Sequence, residues 1–95
     1  DGLKIALVKP HTQSGKLVIQ GVITNKTERT KQIPPLRAAL LDKAGNETAH
    51  WIFTPDIMTL GPEEQVSFRT ETDPPRRGGA RVRVTFLPVG ESSMR

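Results

Sequence analysis

The chain has 95 residues, with 14 Lys and Arg against 10 Asp and Glu, a net charge of +4 and no cysteine. A chain of this length makes one domain and buries somewhat over ~60% of its unfolded surface, so a single core can hold without staples. Absent cysteines exclude disulfides and thiolate metal sites, and 24 Leu, Ile, Val and Phe among 95 residues exclude disorder as the default state.

The apolar runs, such as Ile5-Ala6-Leu7-Val8, are too short to span a bilayer or to serve as a signal sequence. The chain opens on Asp1-Gly2, which reads as a fragment of a longer protein, with any anchor outside it. The positive excess is uneven: residues 1–48 hold eight basic and four acidic residues, and residues 49–95 hold six of each. Such a charge favours anionic partners only weakly, and its plainest reading is a solubilising surface.

In chain order, Leu3-Lys4-Ile5-Ala6-Leu7-Val8 alternates and then turns apolar, as a strand does, and Thr12-Gln13-Ser14-Gly15 reads as a turn. The next stretch, Leu17-Val18-Ile19-Gln20-Gly21-Val22-Ile23-Thr24-Asn25, is rich in β-branched residues. Leu17, Ile19, Gly21 and Ile23 share a face, and a mid-strand Gly21 implies a close backbone approach or a bulge. Residues 25–32 read as a polar loop.

Ile33 to Glu47, IPPLRAALLDKAGNE, admits a helix, a strand or a proline-rich ligand peptide. Leu36, Ala39, Leu40 and Lys43 have helical spacing, and Leu and Ala favour helix. A helix of about nine residues is marginal by itself, however, and the apolar stretches on both sides have period two. Context therefore favours a strand, with Pro34-Pro35 at its start and Asp42-Lys43-Ala44-Gly45-Asn46 as the turn beyond it. Ala49, Trp51 and Phe53 then alternate with His50 and Ile52. Leu60-Gly61-Pro62-Glu63-Glu64 is turn chemistry, and Val66 and Phe68 alternate with Ser67 and Arg69. Asp73-Pro74-Pro75-Arg76-Arg77-Gly78-Gly79 breaks the pattern before Val82, Val84 and Phe86 alternate with Arg81, Arg83 and Thr85. The sum is six to seven short strands, the signature of an antiparallel all-β sandwich over residues 1–88, with residues 89–95 as a flexible tail.

The order of these pieces resembles a known family. Ile19-Gln20-Gly21-Val22-Ile23-Thr24-Asn25, Leu40-Leu41-Asp42-Lys43-Ala44-Gly45 and Leu60-Gly61-Pro62-Glu63-Glu64 are similar to three motifs of FxLYD-like domains. Those motifs are hydrophobic-X-Gly-X-hydrophobic-X-Asn, Leu-X-Asp-X-X-Gly and Leu-X-Pro-Gly-Glu. The chain looks like the bacterial domain of unknown function at the C-terminal end of zinc-ribbon membrane proteins, over roughly residues 3–87. The resemblance implies an immunoglobulin-like β-sandwich carried beyond a cytoplasmic zinc ribbon and one transmembrane helix, hence a periplasmic domain of an inner-membrane protein. It implies no activity and no catalytic residue. Two positions depart from the pattern: Leu41 stands where an aromatic is usual, and Glu63 where glycine is usual.

No catalytic constellation emerges. His11, His50, Met58 and Met94 are scattered without ligand spacing, so no metal or other cofactor is expected. No serine lies in a nucleophile elbow, and Glu63-Glu64 reads as solvating charge in a turn. Gly78-Gly79 leads into a strand, not into the helix N-terminus that would hold a phosphate. Trp51 reads as core.

The residues to watch are Arg81 and Arg83 on the outer face of the last strand, joined by Arg37 if that strand pairs with the Leu36 strand. Three arginines on one sheet suit an anionic partner. The expectation is therefore a non-catalytic interaction or sensing module with a protein partner, anchored to the membrane through a segment outside this chain. The alternative is a basic module that binds nucleic acid or an anionic membrane surface. Nucleic acid is disfavoured because the aromatics fall on inward faces. Nothing in the sequence specifies the oligomeric state or the partner.

Overall fold

A computed structural model describes residues 2–75 and 81–87. The expected tail at 89–95 and the loop at 76–79 lie outside the described residues. Among the described residues there is no helix, and nine strands form. They are β1 (Leu3–Leu7), β2 (His11–Gln13), β3 (Lys16–Asn25), β4 (Lys31–Gln32), β5 (Leu36–Leu41), β6 (Glu47–Phe53), β7 (Thr59–Leu60), β8 (Gln65–Thr72) and β9 (Arg81–Phe86). Every ladder is antiparallel, in keeping with the β-sandwich class. The ambiguous stretch at 33–47 is a strand and a turn. The residues divide into two compact units, residues 2–33 with 55–74, and residues 34–54 with 75 and 81–87. A proline, which cannot donate to a ladder, stands just past each change of unit, at Pro34, Pro55 and Pro75.

In the first unit β3 is central, with β1 and β2 along one edge and β8 along the other. Pro10 separates β1 from β2, although the Val8 N–H still donates to the Gln20 carbonyl at 2.9 Å. The β2–β3 hairpin closes over two residues, Ser14 (φ 53°) and Gly15 (φ 79°), so the turn is tighter than the four residues expected. Both residues have positive φ, as a type I′ turn requires. Ile19, Gly21 and Ile23 are buried on one face of β3, opposite Thr70, Phe68 and Val66 of β8. Gly21 answers the close-approach expectation. A Cβ there would lie 2.6 Å from Phe68 Cζ and 2.7 Å from the Ala6 carbonyl oxygen. The Phe68 ring thus occupies the space that a side chain at Gly21 would need, and Phe68 is only 5% exposed. Where a polar loop was expected, Lys31 and Gln32 pair with Leu60 and Thr59.

Asn25 ends β3 and is fully buried. Its Nδ2 donates to the carbonyls of Arg29 (2.8 Å), Leu60 (3.0 Å) and Gly61 (3.0 Å). Its Oδ1 accepts from the N–H (2.9 Å) and the hydroxyl (2.7 Å) of Thr27. Its backbone N–H donates to the Glu64 carbonyl and its carbonyl accepts from the Glu63 N–H. One side chain therefore closes the 25–29 bend and ties it to the 60–64 turn. A buried amide is tolerated because every polar atom it carries is satisfied.

The 60–64 turn has its own signature. The Glu64 N–H donates back to the Gly61 carbonyl at 3.2 Å, Pro62 takes the second position and Glu63 the third, at φ 62°. That is a type II pattern, which favours glycine at the third position. The Glu64 carboxylate accepts the Gly61 N–H at 2.7 Å and clasps the turn from outside.

The second unit is the sheet β6-β5-β9. Its apolar face is built in rows: Phe53–Leu36–Phe86, Trp51–Ala38–Val84 and Ala49–Leu40–Val82. The central members Leu36, Ala38 and Leu40 are 0–3% exposed, while Trp51, Phe53 and Phe86 on the outer strands are half-buried. Small Ala38 stands beside large Trp51, which keeps the row volume even. Burying Leu36 and Leu40 contributes roughly 1.5–3 kcal/mol each.

Two stability changes follow. Asn25→Ala removes every side-chain bond of the node and leaves carbonyls unpaired, so it should cost about 3–5 kcal/mol in urea unfolding. Asn25→Asp should cost at least as much at neutral pH, because a carboxylate donates nothing to three carbonyls, and should recover in part in acid, where the protonated form donates again. Glu63→Gly should stabilise by about 0.5–1 kcal/mol. It relieves a left-handed residue worth ~1–2 kcal/mol and returns ~0.4–1 kcal/mol to the freer unfolded chain. Thermal unfolding of that variant checks the sign.

Candidate functional site

The other face of β6-β5-β9 carries the charged residues. The register sets Thr85 beside Arg37, Arg83 beside Ala39 and Arg81 beside Leu41. On the far side of β5, Ile52 stands beside Arg37 and His50 beside Ala39. Residues directly opposite one another in an antiparallel pair share a face. The last strand thus pairs with the Leu36 strand as the expectation required, and Arg37, Arg81 and Arg83 lie on one face. Ala39, 1% exposed, is the small central residue between His50 and Arg83.

A bulge brings a further residue to this face. Leu40 pairs with Ala49, but Leu41 pairs with Glu47, so Thr48 is an extra residue in β6. Strict alternation from Trp51 would place Glu47 with the apolar residues. The extra residue turns it onto the arginine face instead. There the Glu47 carboxylate accepts from both terminal nitrogens of Arg37, at 3.0 and 2.6 Å. His50 Nδ1 stands 3.0 Å from the same Glu47 oxygen that takes the shorter bond. The pair is half-buried, at 31% and 29% side-chain exposure for Arg37 and Glu47. A bidentate guanidinium–carboxylate pair is fixed in orientation as well as charge. The Arg37 hydrogen bonds hold the Glu47 carboxyl below its ordinary range. Partial burial opposes this, and the charge of Arg37 and the nearness of His50 and Arg83 add to it.

Two other surface cations have acids at hand. Lys16 reaches Asp73 at 2.7 Å, and Arg69 reaches Glu71 at 2.7 Å. Arg81 and Arg83 are exposed and make no ion pair among the described residues.

Of the remaining candidates, His11 lies on exposed β2 and His50 on β6. Met94 lies outside the described residues. Among the described residues, no group of three or more His, Asp and Glu side chains gathers as a metal site would. Glu64 serves its turn, and Glu63 contributes only backbone there. The Pro35 carbonyl accepts the Leu87 N–H at 2.8 Å, so the Pro34-Pro35 segment extends the ladder and is not a free ligand peptide. Trp51 faces the apolar rows but is not closed off from solvent. Among the described residues, no helix is long and apolar enough to cross a membrane.

The roles of two residues escaped the sequence reading. Asn25 stood at the end of a strand stretch and the start of a polar loop with no burial expected of it, and Glu47 merely followed the 42–46 turn. The Asn25-Lys26-Thr27 spacing could have pointed to the first, since Asn and Thr side chains close bends onto their own backbone. Nothing in the sequence marks the bulge that exposes the second. Comparison of the chain with protein-family models, curated proteins and solved structures finds no match.

A depressed carboxyl contributes stability that is complete above its unfolded value and disappears as the pH falls through the folded one. The thermal stability of the wild type should therefore exceed that of Glu47→Gln at neutral pH, and the two should converge in acid. In Arg37→Ala the Glu47 carboxyl, followed by side-chain NMR, should titrate at higher pH than in the wild type.

Proposed function

We propose that this chain is a non-catalytic interaction module whose contact surface is the outer face of β6-β5-β9, and that its partner is an acidic protein. One observation carries this reading. Arg81 and Arg83 stand exposed on an outer strand and make no ion pair among the described residues, while Glu47, the acid on that face, is held by Arg37 in a bidentate pair and feels Arg83 only through its charge. Charge on a sheet face steers and orients an anionic partner more than it adds raw affinity.

The setting we propose is the periplasmic part of a membrane-anchored bacterial protein, as the FxLYD-like, zinc-ribbon resemblance implies. The geometry lends that resemblance physical sense. Its first and third motifs meet at Asn25, whose side chain holds the carbonyls of Leu60 and Gly61. The second motif is the turn in which Asp42 Oδ1 accepts the N–H groups of Ala44 and Asn46.

The second reading is a nucleic-acid or anionic-membrane surface using Arg37, Arg81 and Arg83. Against nucleic acid stands the composition of the face: Ile52, His50, Glu47, Arg37, Ala39, Leu41, Thr85, Arg83 and Arg81 include no Phe, Tyr or Trp, and the one ring among them, His50, lies against the Glu47 carboxylate.

Crosslinking in intact cells, comparing wild type with the double variant Arg81→Glu/Arg83→Glu, tests the leading reading. Capture of an acidic protein should fall at least tenfold in the variant, while its thermal stability stays within about 0.5 kcal/mol, as for exposed substitutions. Capture that is indifferent to the charge reversal overturns the reading. Salt-sensitive binding of duplex DNA or of phosphatidylglycerol vesicles, lost in the same variant, would move the assignment to the second reading.

A further inference from the structure

Among the described residues, the arginine face ends at an open strand edge. The Leu87 N–H donates to the Pro35 carbonyl, and the β5–β9 register runs from there without a shift through Arg37↔Thr85, Ala39↔Arg83 and Leu41↔Arg81. In an antiparallel ladder the N–H and C=O of one residue point the same way and alternate along the strand. Thr85, Arg83 and Arg81 therefore spend their backbone groups on β5. Val82, Val84 and Phe86 direct theirs away from it, and among the described residues β9 has no second neighbour. That edge presents three N–H donors and three carbonyl acceptors at the spacing of a strand.

We infer that β9 takes a partner by strand addition, and that the partner strand is an extended segment alternating acidic and apolar residues. The proposal rests on the reading of this face as the contact surface and specifies how the contact is made. The alternation follows from the two faces of β9. Arg81, Arg83 and Thr85 are exposed on one side, and Val82, Val84 and Phe86 are half-buried on the other. An added antiparallel strand exchanges hydrogen bonds with Val82, Val84 and Phe86 and sets its own side chains opposite theirs, where apolar residues extend the rows ending in Val82, Val84 and Phe86. Its other residues fall opposite Arg81 and Arg83 at non-hydrogen-bonded pairs. There the two backbones approach to about 4.5 Å between Cα atoms, the closer of the two antiparallel spacings. Carboxylates at those positions meet the guanidinium groups at short range.

Charge also says what does not fit. A second copy of β9 would bring two more arginines to the same face in any antiparallel register, and with Val82 opposite Val84 the four like charges lie directly opposite or diagonal to one another. Edge charges of this kind protect a sheet from its own copies. The same charges select a strand of opposite sign. The free edge of β1 offers no such selection, since Lys4 is its one charged residue.

The test uses the 95-residue chain and a synthetic peptide of about eight residues alternating glutamate and valine, long enough for one strand. Three comparison peptides accompany it: one with lysine in place of glutamate, one with the same composition in blocks, and one N-methylated at every second amide in the phase that faces β9. The alternating peptide should bind and should slow amide exchange at Val82, Val84 and Phe86. Affinity should drop at least tenfold with the N-methylated, blocked or lysine peptides and with Arg81→Glu/Arg83→Glu. Equal binding of the N-methylated or blocked peptide, or protection on β1 in place of β9, overturns strand addition. No binding of the alternating peptide also overturns it. The contact-surface reading fails separately, if crosslinking to the cellular partner ignores the arginine reversal.

Discussion

A single buried amide closes the first unit. Asn25 is one residue, yet it satisfies carbonyls from two different bends and two donors on Thr27, while its own backbone pairs with the Glu63 and Glu64 peptide groups. The connections it joins have little apolar content of their own. Lys26, Glu28, Arg29, Thr30, Pro62, Glu63 and Glu64 are exposed. Hydrogen bonds that would be worth little in water hold these segments because they converge where water is excluded. Everything that depends on the position of the 60–64 turn, including the start of β8, inherits its placement from this amide.

The charged sheet follows the opposite design. Its apolar face is ordinary close packing, and its polar face is arranged by charge. Arginines on the central and outer strands of one small sheet would repel one another. Glu47 offsets the central one, and the guanidinium–carboxylate fork fixes Arg37 in a defined direction. Among the described residues, the two arginines of β9 make no ion pair. Among the described residues the face is therefore divided: an ion-paired half along β5 and β6, and a rim along β9 without ion pairs. The bulge at Thr48 creates this division, because without the extra residue Glu47 would stand in the apolar rows.

Much of the strand layout was legible because its signals are local and periodic. Val82-Arg83-Val84-Thr85-Phe86 could be read at sight, and so could Ala49, Trp51 and Phe53. The stretch at Leu36 was legible only through its neighbours, since Leu and Ala favour helix and the ladder partners lie elsewhere in the chain. The arginine grouping was legible conditionally, because Arg37 joins Arg81 and Arg83 only once β5 pairs with β9. What stayed hidden was set by geometry that sequence does not spell out. The two-residue strands at Lys31 and Thr59 carry no apolar alternation. Asn25 has the composition of a loop residue and the burial of a core residue. Glu47 obeys a register shifted by one.

Neither unit is a continuous stretch of chain, and this has a consequence for how the protein is made. The central strand of the second unit, β5, pairs on one side with β6 across a short turn, but its other side waits for β9, whose paired residues lie 40 or more positions later, as in Leu41↔Arg81. On a ribosome adding residues in order, the β5–β6 hairpin emerges with one flank open, and the flank is sealed only once residues 81–86 have been synthesised. Non-local pairing of this kind is slow to close and leaves a strand edge exposed in the meantime. The nascent chain is thus most vulnerable to wrong pairing in the interval between the synthesis of Leu41 and that of Phe86, and the open side of β5 is where chaperone protection would matter most.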